Sequence, residues 1–463
     1  MSSGTSYNIL MCSLSPTPKS VIYAYQGAEV EAGQCPIALI KLLPEEEIPH
    51  ELIILCTKEI RNKALPETEA LMNEIYKNRG LEKPLIMELD IPDGKTQEEL
   101  WQAMDRILNA ALNAGARAKP TSSPRLYLDV THGFRALPFV WFTAILYLIA
   151  LERDKLSIEK VFYGMLPMGS NRGPILDLSV VLNLVEWFYA VRTFTDTGQA
   201  HWLSEMLKAT ERPPRDHVVR DNSEYGTIKS LRRSLDEVSA AFAQGLPLEL
   251  GVHSAKAAGI LQSSLPQVLI EQVPMAENLR QILREYLTPL ARTSRVAGSR
   301  LEKKDMFLTK EELRRQARVV DSYLALGQVD KALGVIREWM VSVVTWYYER
   351  GDQGEAPIEA PVWLDYKNMR EKIENCLRDL DHSYRKTNKI HRSRLFSEPE
   401  SWLARTWNFF SSERNHLYHC GYNDENCTVK NEKLRNMRQR WEDAKGKLDK
   451  PEFWKPLLLE SKK

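Results

Sequence analysis

The chain has no excess of charge of either sign. Its 463 residues carry 63 Lys and Arg against 62 Asp and Glu, a formal charge of +1. A basic coat for long duplex DNA is therefore excluded for the whole chain, although a local basic patch fits inside a balanced total. Cysteine is scarce, with six in all and no CxxC: Cys12, Cys35, Cys56, Cys376, Cys420 and Cys427. Three of them sit in or beside apolar runs, as small core residues do. The opening MSSGTSYNIL lacks a basic region followed by an apolar stretch, so no secretory signal is visible. The longest apolar run, Phe139–Leu151 (FVWFTAILYLIAL), has about 13 residues against the roughly 20 that span a bilayer, and it reads as a buried helix. A cytoplasmic protein with no membrane partner is expected. Hydrophobic residues at 43% and charged residues at 27% exclude long disorder, collagen and low-complexity tracts. The length suggests roughly two to three domains.

What is present divides into two unlike stretches. Up to about residue 180, short β-rich runs alternate with helical patterns: Asn8–Ser13, Val21–Tyr25, Leu52–Thr57, Leu85–Glu88, Leu126–Val130 and Val161–Tyr163. Several are continuously apolar, as strands covered on both faces are. Between them, Thr96-Gln97-Glu98-Glu99 fits a capping box. Leu100, Trp101, Met104, Ile107, Leu108, Ala111 and Leu112 make an apolar stripe that Gly115 is expected to stop. This alternation predicts a Rossmann-like α/β sheet. Beyond Ser179 strand signals nearly vanish. Val180–Arg192 is helical, a less regular stretch runs to about residue 300, and residues 310–326 and 330–349 carry helical stripes. Gly351–Pro361 reads as a loop. Leu434, Met437, Trp441, Ala444 and Leu448 repeat at helical steps on a basic segment that is more often a packed helix than a nucleic-acid surface. No internal repeat joins the halves.

Two places carry chemical information. In LYLDVTHGFRALP, Leu126–Pro138, a buried strand ends at Asp129-Val130, a polar turn follows, and Pro138 opens an apolar helix. Ligands of open α/β sheets bind beyond the carboxyl ends of strands, and helix N-termini there favour phosphate. Gly133 permits close backbone approach, while Thr131, His132 and Arg135 supply donors. The hydroxyl-rich loop after the first strand, Ser13-Leu14-Ser15-Pro16-Thr17, is the other candidate wall. This is not GxGxxG, so a dinucleotide cofactor is disfavoured, and a plain polar strand-to-helix turn stays open as the alternative.

The second place is FFSSERNHLYHCG, Phe409–Gly421, where Arg414, Asn415, His416 and His419 crowd one helix. Arg414 and His419 stand about 140° apart on a helix and can flank one groove, particularly if a second copy supplies the opposite wall. RNA cleavage without metal needs an acid or base of near-neutral pKa and a fixed cation at the phosphate, roles that histidine and arginine suit. His416-x2-His419-Cys420-x6-Cys427 offers four zinc ligands but no standard finger spacing. A Cys420 nucleophile has no supporting signature, and a solvated helix end also remains open.

The DVTHGFRALP stretch, with the Val161–Tyr163 strand and Pro174–Leu178, resembles the CARF (CRISPR-associated Rossmann fold) sensor domain. The all-α end with Arg414-x4-His419 resembles the signature of HEPN ribonucleases. Together they resemble the CARF–HEPN effectors of type III CRISPR systems. The resemblance implies an α/β Rossmann-like CARF domain over residues 1–180, a mainly helical connector over 181–300 and an all-α HEPN domain over 301–463.

It further implies a homodimer, or a higher oligomer, in which two CARF domains bind a cyclic oligoadenylate. Family grounds favour cyclic tetra-adenylate over hexa-adenylate. Binding would activate a composite, metal-independent endoribonuclease for single-stranded RNA that needs no cofactor. Arg414 and His419 would be the catalytic pair with Asn415 beside the arginine, and His416 is an extra histidine inside the motif. Thr131, His132, Gly133 and Arg135 would line the messenger pocket, with Ser13 and Ser15. A rival from another class is a non-catalytic nucleotide sensor whose helical part docks a partner or DNA. A third possibility adds slow cleavage of the messenger by the CARF domain.

Overall fold

Apolar runs at the front of the chain do form strands, and most lie in the middle of one sheet. The computed structural model describes residues 6–118, 123–152, 154–211, 223–273, 275–292, 302–351, 354–418 and 431–455. Its residues fall into two compact units, Met1–Tyr189 and Ala190–Lys463.

The first unit is built on β1 (Ser6–Ser13), β2 (Val21–Tyr25), β3 (Ala28–Ala32), β4 (Glu51–Cys56), β5 (Leu85–Asp90), β6 (Ser123–Asp129), β7 (Ser157–Gly164) and β8 (Arg172–Asp177). They stand in the order β3-β2-β8-β7-β6-β1-β4-β5. The run β7-β6-β1-β4-β5 is parallel throughout. β8 is antiparallel to β7, and β2 follows β8 in parallel. From β1 the chain builds toward β4 and β5, then returns to place β6 and β7 on the other side. The crevice between the carboxyl ends of β1 and β6 is thus the switch point of a doubly wound sheet.

Helices α1 (Cys35–Leu42), α2 (Lys58–Lys63) and α3 (Leu65–Asn78) cover the face that carries Leu10, Cys12, Tyr127 and Phe162. The opposite direction of crossover puts α4 (Gln97–Arg117) and α5 (Leu137–Leu151) on the other face. The unit's chain continues into α6 (Ser179–Thr197).

Several expectations are corrected here. Thr96 caps α4 by accepting from the Glu99 amide, but Gly115 does not end the helix, which runs on to Arg117. Gly115 instead lies inside the helix beside Lys155 and Leu156, where a Cβ would make ordinary contact at 3.5 Å. The buried line of α4 is Ala103, Ile107, Ala110, Ala111 and Ala114, and Trp101 faces solvent. Small alanines let the helix approach closely, which rotates the stripe away from the larger residues. The apolar α5 buries only one side, through Trp141, Ile145 and Leu148. Phe139 (78% exposed), Phe142, Tyr147 and Leu151 (68%) lie bare on the other side. β3 and β8 had no strand signal, because AEVEA alternates charge and RGPILD opens on glycine and proline.

The second unit is largely helical. The stretch expected to be irregular holds α7 (His201–Thr210), α8 (Ser223–Ala243), α9 (Pro247–Gln262), α10 (Gln267–Gln272) and α11 (Ala276–Leu287). Next come α12 (Lys310–Ala325) and α13 (Val329–Arg350), followed by α14 (Ala360–Trp363), α15 (Glu371–Lys386), α16 (Lys389–Leu395), α17 (Glu398–Tyr418) and α18 (Asn431–Gly446). The only strands among its described residues are two-residue pieces, Phe307–Leu308 and Ile358–Glu359, and the second interrupts the expected 351–361 loop.

The core of this unit holds Trp339 edge-on to Trp441 and Trp454. Each indole N–H finds an acceptor: Leu313 O, Asp321 and Lys447 O. Met437, Trp441, Ala444 and Leu448 are buried, so α18 is the packed helix its spacing predicts. Arg315 is fully enclosed. It pairs with Glu312 at 2.5 Å and donates to the carbonyls of Leu290 and Pro247 at 3.1 and 2.8 Å. Gly251 makes room for it, since a Cβ there would come within 2.8 Å of the guanidinium carbon.

Candidate functional site

Strand pairing fixes the first site. Cys12 on β1 lies opposite Asp129 on β6, so the Ser13–Ser15 loop and the Thr131–Gly133 turn leave the sheet as neighbours. Asp129 is completely buried. Its Oδ1 accepts from the Thr131 amide at 3.0 Å and from the Thr131 hydroxyl at 2.5 Å. The Cys35 thiol bonds the same carboxyl, while Oδ2 has no partner among the described residues. Burial pushes the Asp129 pKa up from 3.8 to about 6, against the pull of those hydrogen bonds. The same burial, with Asp129 nearby, raises the Cys35 thiol well above its ordinary range.

Thr131 is a pin. Its O–H is turned inward to Asp129, and its oxygen accepts from the Gly164 amide on β7 at 2.8 Å. Gly164 has to be glycine, since a Cβ would meet Tyr23 at 2.8 Å, Cys35 at 3.1 Å and Thr131 at 3.2 Å. His132 is half-buried, and its Nε2 accepts from the Cys35 amide at the start of α1 (3.4 Å). That bond leaves the ring proton on Nδ1. Burial lowers its pKa from 6.5 to about 4, so the ring is neutral at pH 7. Gly133 has φ +125°, and a Cβ on it would strike Leu137 at 2.3 Å. Arg135 is exposed on the turn into α5.

On the β1 side, Ser13 is fully buried and its Oγ lacks a partner among the described residues. Ser15 is held by Gln34, which accepts from its N–H and donates to its C=O, both at 2.9 Å. Nothing in the pattern around Gln34 announces this clamp. Gln34 stands just before α1 and Ala136 just before α5, so two helix N-termini open near the crevice with no side-chain cap. The Cys35 amide is taken by His132, those of Leu137 and Phe139 by the Phe134 and Ala136 carbonyls, and Pro36 and Pro138 have none, so it is the positive helix ends beside a neutral imidazole that suit an anionic ligand.

The second site is only partly described. Arg414 and Asn415 lie in the last turns of α17, while His419, Cys420, Gly421 and Cys427 lie outside the described residues. The Arg414 guanidinium sits 4.2 Å from the centre of the Tyr418 ring. Its Nε is buried without a partner among the described residues. Asn415 is exposed, and His416 approaches Ser412 at 3.5 Å. Of the four residues weighed as zinc ligands, His416 alone is described. Among the described residues no group of three His, Cys, Asp or Glu is placed to hold a metal ion, and no helix is long and apolar enough to cross a membrane.

Fold and site together define a class: a doubly wound α/β unit with a polar crevice at its switch point, followed in the chain by a largely helical unit. No family model matches the chain. It is similar to the CRISPR-associated protein MJ1674 of Methanocaldococcus jannaschii, with 25% identity over 121 residues, or 26% of this chain. The chain covers 18% of that relative's length. The CRISPR-associated resemblance read from Asp129–Pro138 therefore agrees with this relative. Among solved structures, Enterococcus italicus Csm6 bound to cyclic hexa-2'-fluoro-hexa-dAMP aligns over 99% of both chains, at 9% identity and a TM-score of 0.40.

Proposed function

We propose that the chain is an endoribonuclease of type III CRISPR defence, switched on by a cyclic oligoadenylate and cutting single-stranded RNA without a metal ion. The observation that carries the sensor half is the interlocked Asp129–Thr131–Gly164 and His132–Cys35 network at the switch point. It holds the Gly133 backbone and Arg135 at the mouth of a crevice where helix N-termini favour phosphate. The match to a CRISPR-associated protein supports the setting.

For the helical half, Arg414 would steady the charge that develops on the phosphate, with Asn415 beside it. His419 would exchange the proton of the 2′-hydroxyl or of the leaving 5′-oxygen. A homodimer would bring two such pairs together, and the bare apolar side of α5 is a surface a second copy would cover. In this reading residues 1–180 sense, 301–463 cut and 181–300 connect them. The ligand acts by favouring the dimer arrangement that aligns both Arg414–His419 pairs.

One assay tests the reading: cleavage of a fluorescent single-stranded RNA in EDTA, across cyclic tri-, tetra-, penta- and hexa-adenylate. Cleavage with one ring only, tetra-adenylate expected, supports it. Activity that needs a divalent metal, or ring binding with RNA left intact, sinks it and returns the chain to the non-catalytic sensor.

A further inference from the structure

A groove of about 490 Å³ opens between α17 and α18 in the helical unit. Trp402, Arg405, Thr406 and Phe409 line it from α17, and Asn436, Gln439, Arg440 and Asp443 from α18. Its volume lies within the range of small-ligand pockets, but its chemistry is unlike theirs. Aromatic rings, guanidinium groups and amides alternate along it. The Arg440 guanidinium lies over the Phe409 ring, 4.5 Å from its centre. Arg405 is exposed and anchored by its Nε to the Ser401 carbonyl at 3.0 Å, which leaves the outer nitrogens of the fork toward solvent.

Electrostatics decide the sign. Asp443, the one carboxylate of the groove, accepts from the Trp402 indole at 2.6 Å and pairs with Lys447. Its charge is therefore met from inside, and Arg405 with Arg440 leaves the groove positive. Helical spacing decides the direction. Arg405, Phe409, Ser412 and His416 follow one another by four, three and four residues, so they share one face of α17. Over those 11 positions the helix rises about 16 Å, from the groove to the histidine inside the Arg414–His419 motif.

The geometry points to a binding subsite for single-stranded RNA. One base stacks on the Arg440–Phe409 platform, a phosphate meets Arg405, and the strand runs along this face of α17 toward His416. Single strands are bound in this way by aromatic and guanidinium planes for the bases and fixed cations for the backbone. The choice of RNA as occupant rests on the ribonuclease reading, and the site itself extends that reading beyond the Arg414–His419 pair.

The test uses the full chain carrying Arg414→Ala, with a fluorescein-labelled single-stranded RNA followed by anisotropy through a salt series. In parallel the unaltered chain is assayed for cleavage. Arg405→Glu and Arg440→Glu, both at exposed positions, are expected to raise Kd by about tenfold or more. Arg405→Ala should lower the slope of log K against log salt by about 0.7, the value for one phosphate contact to a single strand. Phe409→Ala should weaken binding by roughly tenfold with that slope unchanged, and Arg440→Lys should keep the slope while losing affinity.

RNA affinity within twofold of the parent in both charge-reversed variants overturns the subsite, even if the unaltered chain cleaves RNA. A change of oligomeric state at unchanged RNA affinity overturns it too and marks the groove as a surface between copies. Groove-dependent RNA binding by a chain that never cleaves upholds the subsite and removes the ribonuclease reading instead.

Discussion

At the end of β6 a carboxyl, a hydroxyl, a thiol and an imidazole answer one another inside the sheet. At the end of α17, by contrast, an arginine rests against a tyrosine ring with a buried Nε that no described residue accepts. The first arrangement is closed on itself except at Asp129 Oδ2, which no described residue meets. It fixes a turn whose outward groups, the Gly133 backbone and Arg135, are presented without further ordering. In the second, the Nε of a half-exposed guanidinium lacks a partner among the described residues, and the ring of Tyr418 covers the rest of the group. The difference teaches that the turn is held by its own polar groups, whereas the helix end presents a cation supported chiefly by an aromatic ring.

Four changes would break or sharpen that contrast. The largest effect belongs to Arg414→Ala and to His419→Ala, each expected to lower ring-stimulated RNA cleavage by about 10²–10³-fold while leaving ring affinity unchanged. A loss of ring binding in either variant would dissolve the distinction between the two places. Next, Phe139→Glu with Leu151→Glu should convert the proposed dimer to a monomer in sedimentation and silence cleavage with it. A persistent dimer would move the interface elsewhere.

The third effect is a pH dependence. The folded pKa of Asp129, about 6, stands above its ordinary 3.8. The stability it lends is complete below about pH 4 and is lost as pH rises through 6. His132 behaves oppositely, since its folded pKa of about 4 lies below 6.5. Its contribution is present above about pH 6.5 and lost on falling toward 4. The two slopes oppose each other across that window, and Asp129→Asn removes one of them. Relative to the unaltered chain, the variant should lose about 5 °C of Tm between pH 6.5 and 4.5. Parallel melting curves at the two pH values would show instead that the carboxyl is not held as described. The smallest effect is Ser13→Ala. Its hydroxyl is buried without a partner among the described residues, so removal should leave stability unchanged or raise it by up to about 1 kcal/mol in thermal melts.

The sensor turn was largely legible because its signal is local: a buried strand, a polar triplet with glycine, then Pro138 opening an apolar helix. Strand β2 and the core of β1, β4, β6 and β7 announced themselves as apolar runs for the same reason. What sequence could not give came from partners far along the chain. Gln34 clamps Ser15, Cys35 bonds both His132 and Asp129, and Gly164 receives Thr131, and none of them carries a pattern of its own. The inward aim of the Thr131 hydroxyl was equally hidden, because residue type sets what a side chain can donate and only packing sets where. On α4 periodicity found the helix and put Ile107 and Ala111 on the buried side, but it took in the exposed Trp101 and left out Ala103, Ala110 and Ala114. At α17 the motif was visible as residues, whereas the groove beside it required α18 to be laid against it.

Arg315 sets how the helical unit can be divided. Its guanidinium reaches back from α12 to the carbonyls of Pro247 and Leu290, through the space Gly251 leaves open. A fragment starting at residue 301 would lose both carbonyl acceptors and uncover the Arg315–Glu312 pair together with the apolar surface packed around it. Such a fragment should melt well below the full chain or fail to fold. The helices before residue 300 are therefore part of the scaffold that keeps α12 in place, and any nuclease carried by this unit inherits its rigidity from them.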